Sequence, residues 1–447
     1  MSNEIDSNSL NYPPTINASF NFRFILTCYV LALVTIGFGD YLFGYFLYMN
    51  VSTLFIYIAL VFQILTRSFH LPKILITLYI FILIQTFVLN YNSIDINISF
   101  KHFLGIVLYT LSIFSFIRNS YDRILKIIKI YYNFVFIISC IAFLQLIIFL
   151  IFGYSFFPQN IFSGIHDFEQ GTSPLKNEIL GVFPRLVGLS TEPAHFIILT
   201  LPGTYLSLLR LLNKSDDFNF NSTFKSLVIL ISFVLSFSVV GYFGLALCLL
   251  FILGKGKGKL VLNILMIAFF SLVLYVFSKT TIYTDKISIL PEILTNYKEY
   301  EYSSSSQTQF ALLSNIAIAE TSLNKSMFLG TGLNTHQISY YSEIYNIFTP
   351  NQVYSVLNSA DAGSLFIRIT SEFGIPGILA FIFFLYHFKL GREAPTALNK
   401  TINEMCFIFL ITYSVRNGSY MGVNLMLFTA MFFYSYLSEK GKISIHS

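Results

Sequence analysis

The chain has 447 residues with a formal net charge of +5; 55% are hydrophobic and only 11% charged. Mean hydropathy is +0.69, whereas a soluble globular domain carries roughly 25% charged residues. The composition excludes a soluble enzyme and describes a polytopic, all-α membrane protein whose excess positive charge calls for no nucleic-acid partner.

The first 21 residues are polar and rich in Asn and Ser, without a cleavable signal, so the first apolar run reads as a retained span. A crossing needs about 20 mostly apolar residues. Twelve runs approach this, over residues 23–39, 41–65, 71–90, 101–117, 127–153, 194–212, 225–239, 240–254, 260–277, 364–388, 401–416 and 419–437. The short dividing loops leave a range of eleven to thirteen.

Cys28, Cys140, Cys248 and Cys406 all lie in apolar runs and read as small hydrophobes, with neither a disulfide framework nor a metal spacing. With both termini cytoplasmic, about two thirds of the 27 Lys and Arg fall in short inner loops, as the positive-inside rule requires. Lys255, Lys257 and Lys259 form a basic turn that lacks the spacing of a phosphate loop.

Residues 1–447 read as one integral membrane domain with two large outer loops, at 153–193 and 278–363. Within the second, residues 308–319 place Phe310, Leu313, Ala317 and Ala319–Glu320 toward one helical face, predicting a helix that lies on the membrane surface. No repeat of helix pairs is visible, which argues against an inverted-repeat transporter.

The densest chemistry lies between Phe183 and Phe196, where Arg185, Glu192 and His195 fall within eleven positions. Pro193 suits the first position of a helix. Glu192 before it is favoured by the helix dipole. That accounts for Glu192 and Pro193, but not for Arg185 and His195 at the same edge. His195 either caps a polar pocket or serves as a base.

Arg368 and Glu372 are spaced to share one helical face. They form either a self-neutralised structural pair or an anion site in which Glu372 fixes the guanidinium of Arg368. Gly374, Pro376 and Gly377 then kink that helix. Arg416 ends a later apolar run, as a snorkelling or a ligand-binding arginine. Three arginines thus approach the outer face, and the guanidinium fork matches phosphate, making a membrane-anchored diphosphate the natural ligand. No HExxH or GxSxG pattern occurs, and nothing calls for a metal or cofactor.

Four segments carry a resemblance to a known group. They are Arg185-x-x-Gly188-x-x-x-Glu192-Pro193; Ser236 to Gly244; Gly330-Thr331-Gly332; and Ser364 to Gly377. With the two large outer loops, they resemble the O-antigen polymerases (Wzy type) of the O-antigen ligase/polymerase group. The 236–244 turn lacks the arginine often found there, at Val239–Val240. Asp361-Ala362-Gly363-Ser364 stands where ligases of the group typically carry a His-Asn pair, which favours polymerase over ligase.

The resemblance implies a GT-C-like glycosyltransferase of the bacterial inner membrane, in lipopolysaccharide biosynthesis. It would move a growing glycan from undecaprenyl diphosphate to a lipid-linked repeat unit, without a cofactor, with a chain-length regulator protein as a further partner. Glu192 and then His195 are the expected catalytic residues. Arg185, Arg368 and Arg416 are the expected diphosphate contacts, supported by Gly188, Pro193, Glu372, Gly374 and Gly377. A ligase acting on lipid A core and a polysaccharide flippase are the alternatives.

Overall fold

The computed structural model describes residues 17–42, 51–90, 94–153, 175–177, 181–190, 192–212, 222–253, 307–348, 358–391 and 396–441, with isolated positions between them. These residues form thirteen α-helices and one small hairpin. In chain order the helices are α1 (Asn17–Leu42), α2 (Val51–Leu65), α3 (Lys73–Leu83, continued by a π-helical turn Ile84–Val88), α4 (Ile96–Asn119) and α5 (Ile124–Phe152). Then come α6 (Pro193–Leu211), α7 (Thr223–Val234), α8 (Val239–Leu253), α9 (Gln307–Lys325), α10 (His336–Ile347), α11 (Leu365–His387), α12 (Ala397–Arg416) and α13 (Val423–Glu439).

Four helical stretches are long and apolar enough to cross a membrane: Ile96–Asn119, Tyr121–Phe152, Pro193–Leu211 and Leu365–His387. Five shorter apolar helices accompany them. The chain is therefore a helical membrane protein. Ten of the twelve expected runs coincide with helices; of the run at 41–65 residues 43–50 lie outside the described residues and 51–65 form α2, and the run at 260–277 lies mostly outside them.

Local chemistry sets several helix ends. Asp95 caps α4 by accepting from the Ile98 N–H at 3.1 Å, and Ser222 caps α7 by accepting from the Lys225 N–H at 3.2 Å. Gly153 closes α5 with φ +64. Pro193 opens α6, as its fixed φ and missing donor favour.

Helices α12 and α13 form the buried centre, packed on each other, with α6 and α8 against α12 and α4 against α13. Several of their polar side chains find partners inside the bundle. Asn403 Nδ2 donates to the carbonyls of Phe388 and Phe432 and to Ser435 Oγ, while its Oδ1 accepts from the Leu390 N–H. The Tyr205 hydroxyl donates to Glu404 Oε2 at 2.7 Å. Hydrocarbon leaves a buried polar group no other source of partners.

The first large loop contains an antiparallel hairpin, β1 (Leu175–Asn177) and β2 (Gly181–Phe183), with Lys176 opposite Val182. Strands of three residues are too short to show an alternating pattern in the sequence. In the second loop, α9 and α10 share a small core of Phe310, Leu313, Ala317, Ile318, Tyr340, Ile344 and Phe348. This corrects the surface-helix expectation for 308–319. Helix α10 covers the apolar stripe of α9, and Glu320 at its end is exposed.

Helix α11 is broken at Gly374, with φ 61° and ψ −154°. The segment after α9 supplies bonds around the break. The Ile375 N–H donates to the Phe328 carbonyl (3.0 Å), the Gly332 N–H to the Glu372 carbonyl (2.8 Å) and the Thr331 N–H to the Ser371 carbonyl (3.0 Å). A Cβ on Gly374 would lie 2.2 Å from the Phe328 oxygen, so only glycine fits this approach.

Candidate functional site

The Arg185–Pro193 segment docks on the turn between α7 and α8. Arg185 Nη2 donates to the Phe237 carbonyl at 3.4 Å, and the Leu186 N–H donates to the Leu235 carbonyl at 3.4 Å. Phe237 has φ +48, a conformation that costs energy for a bulky residue and persists only where its surroundings impose it. Gly188, at φ +57, is held from below. Its N–H donates to Gln145 Oε1 (3.0 Å) and its carbonyl accepts from Gln145 Nε2 (2.7 Å). Gln145 projects from α5 and grips the Gly188 backbone from both sides.

From this platform Glu192 meets Arg416, with Nη2 2.6 Å from Oε2. Neither is fully enclosed: their side chains are 38% and 24% exposed. Burial pushes the Glu192 carboxyl up. The Arg416 guanidinium, helped by His195 and Arg185, outweighs that and holds it below the usual carboxylate range. Burial lowers Arg185 to about 10, partly offset by Glu192 and Tyr242, which leaves it charged at neutral pH. His195 stands within electrostatic reach of Arg416, Glu192 and Asp361.

A second polar cluster surrounds Arg368, which is 5% exposed. Nε donates to Glu372 Oε1 at 2.9 Å, Nη1 to the Gly418 carbonyl at 3.1 Å and Nη2 to Asn334 Oδ1 at 3.1 Å. The Tyr420 ring lies 4.4 Å from its Cζ. All three nitrogens of Arg368 are thus engaged, and the Glu372 side chain is fully enclosed. Nearby, His336 Nε2 bonds Asn315 Oδ1 at 2.8 Å. Burial first, and then the charge of Arg368, lower this imidazole to about 3.

The residues 416–420 join the clusters. Arg416 faces Glu192, the Gly418 carbonyl faces Arg368, and Gly418 presses on the Asp361 backbone so closely that a Cβ would overlap the Asp361 carbonyl oxygen at 1.5 Å. Asp361 Oδ1 accepts from the Gly363 N–H at 3.0 Å, and its carboxylate acts on both His195 and Arg368.

Of the expected site residues, Arg185, Glu192, His195 and Arg416 come together. Gly188 and Pro193 shape the segment that carries them. Arg368, Glu372, Gly374 and Gly377 belong to the second cluster and its helix break. His166, a loop histidine of the sequence, lies outside the described residues.

Sequence reasoning missed Gln145, Tyr242, Asn334 and Tyr420. Gln145 carried one signal, a lone amide in an apolar run. Tyr242 lay within the 236–244 turn of the resemblance but was given no role there, and Asn334 and Tyr420 acquire theirs only through distant contacts. Among the described residues no group of three or more His, Cys, Asp or Glu side chains forms a metal-binding arrangement. No protein-family model, curated protein or solved structure matches the chain, so the reading of this site rests on its own residues.

Proposed function

We propose that the chain is a membrane-embedded glycosyltransferase that polymerises a lipid-linked glycan. The donor is a growing chain on undecaprenyl diphosphate, and the acceptor is a repeat unit on a second such carrier. The observation that carries this reading is the meeting of Arg416 with Glu192 beside Arg185 and His195. Two guanidinium groups and two proton-accepting side chains gathered together support the reading. The motif resemblance supplies the substrate class. Twelve spans, both termini on the cytoplasmic side and a site at the outer face belong to the same proposal.

In this reaction the acceptor hydroxyl oxygen forms the new bond to the anomeric carbon of the donor. The bond from that carbon to the diphosphate oxygen breaks, and the diphosphate leaves with the electron pair. The hydroxyl proton passes to a base. The leaving group already carries its charge, so catalysis consists mainly of positioning and of stabilising the diphosphate. Arg185 and Arg416 do this; the Glu192 bond occupies Nη2 of Arg416, and a guanidinium has five donors.

Glu192 is engaged by Arg416 and held at low basicity, so it serves best by orienting that arginine. His195 is then the better base. Arg368, whose nitrogens are engaged within the protein, acts by holding the 417–420 segment through the Gly418 carbonyl.

The test is the glycan ladder of a deletion strain complemented with the wild-type chain, Arg185→Ala or Glu192→Gln. A polymerase deletion leaves core capped by a single repeat unit, and the wild type restores long chains. Bare core with polymer stranded on its carrier would identify a ligase instead and overturn the proposal.

A further inference from the structure

We infer that the turn Met327–Phe328–Leu329, between α9 and α10, is immersed among the acyl chains of the membrane. The three side chains are 83%, 53% and 42% exposed. Met327 and Phe328 adopt φ of +52 and +67, the left-handed region that glycine or asparagine occupies at least cost. Two large apolar residues hold these positions and project out of the fold. In water the exposure is unfavourable, and the conformation, costly in any solvent, fixes the two side chains in it.

At Phe328, Leu329 and Gly330 the backbone of the same turn is bonded within the protein. The Phe328 N–H donates to the Leu323 carbonyl (2.8 Å), and its carbonyl accepts from the Ile375 N–H (3.0 Å). The Leu329 N–H donates to the Ser326 carbonyl (3.1 Å), and its carbonyl accepts from Gln85 Nε2. The Gly330 N–H donates to Ser326 Oγ at 2.9 Å. A turn in water has no need of so many internal partners. In hydrocarbon it does, because irregular backbone there has no other source of hydrogen bonds.

The surroundings decide the occupant. Ile375, bonded to the turn, lies in the second half of α11, a segment apolar and long enough to span. Ile375, Leu379 and Phe383 of that helix are exposed at 44%, 61% and 63%. On the other flank Gln85 projects from the π-helical end of α3, where Val88 and Leu89 are exposed at 69% and 53%. The turn therefore continues an apolar belt formed by two bundle helices, and lipid is what faces such a belt.

The chain contains no tryptophan, so one introduced indole is the sole emitter of its kind. Full-length Phe328→Trp and Met327→Trp are purified and reconstituted in phosphatidylcholine vesicles, with plain or brominated acyl chains. Ile137→Trp, at a site 56% exposed on α5, serves as the lipid-facing reference, and Asn346→Trp, at the exposed Asn346, as the aqueous one. The expected result is blue-shifted emission at 327 and 328, with a loss in brominated lipid matching that at 137 and none at 346. Water-like emission without bromine quenching overturns the inference. Blue-shifted emission without quenching also overturns it, by assigning the turn to a protein surface such as a second copy of this chain. Two independent positions preserve the test where one variant fails to fold.

Discussion

Arg416 reaches Glu192 across 224 positions of sequence, with Nη2 2.6 Å from Oε2. The pair ties the last residue of α12 to the residue just before α6. Arg416→Ala and Glu192→Gln both free the partner and disorder the proposed diphosphate site. Each is expected to reduce polymerisation about 10²–10³-fold, as for loss of one preorganised charge contact. Arg416→Lys restores only part of this, because an ammonium lacks the fork. Polymer length per unit time from a purified lipid-linked repeat unit is the measurement. The lowered Glu192 carboxyl adds a sign. Its stabilising contribution is complete above the ordinary Glu value of about 4.3 and is lost as pH falls through the folded value, so the link persists at mildly acidic pH.

Arg368 and Glu372 behave differently, because their pair is enclosed. Removing one partner strands a buried charge, at a cost of about 3–5 kcal/mol. Arg368→Met and Glu372→Leu are each expected to lower the thermal midpoint in detergent sharply, while the double variant recovers much of the loss. A double-mutant cycle on thermal unfolding measures the coupling; strictly additive losses would contradict it.

Gly188→Ala meets two obstacles at once. The site has φ +57, and an added Cβ lies 2.7 Å from an Ile138 side-chain carbon. Destabilisation of more than about 1 kcal/mol is expected from the conformation alone. Gln145→Leu removes both bonds to the Gly188 peptide and leaves buried backbone groups unmet, at about 1–3 kcal/mol each. Both variants are expected to raise protease cleavage near residue 188.

His336 gives a pH prediction for the α9–α10 unit. Its folded value is about 3, against about 6.5 for a free imidazole. Between those values the unfolded chain binds a proton that the fold excludes. Stability therefore falls as pH drops below about 6.5, by up to about 1.4 kcal/mol per pH unit, and levels off near the folded value. Hydrogen exchange in α9 and α10 across this range should show the loss, and His336→Gln should flatten the slope.

The helices were legible because hydrophobic runs of span length leave little choice, and the limits of α6 were legible from Pro193. The break in α11 was visible in Gly374, Pro376 and Gly377, but not the segment at Phe328 that completes it. Apolar stripes carry a different ambiguity. That of α9 says only that something covers it, and α10 does so instead of lipid. The link from Arg416 to Glu192 left no local trace, since each residue also made sense alone, as a snorkelling cation and a helix-start anion. The close approach of Gly418 to Asp361 depends on two loops meeting and has no one-dimensional signature.

The partners of the Gly374 break have a consequence for biogenesis. Residues 326–332 precede α11 in the chain and leave the ribosome first. The α9–α10 unit owns a core that does not draw on α11, so it can assemble while α11 is still being synthesised. The emerging helix then meets a ready-made template at Phe328, Thr331 and Gly332. The break that Gly374, Pro376 and Gly377 already favour is thereby met by partners that are in place before the helix is complete.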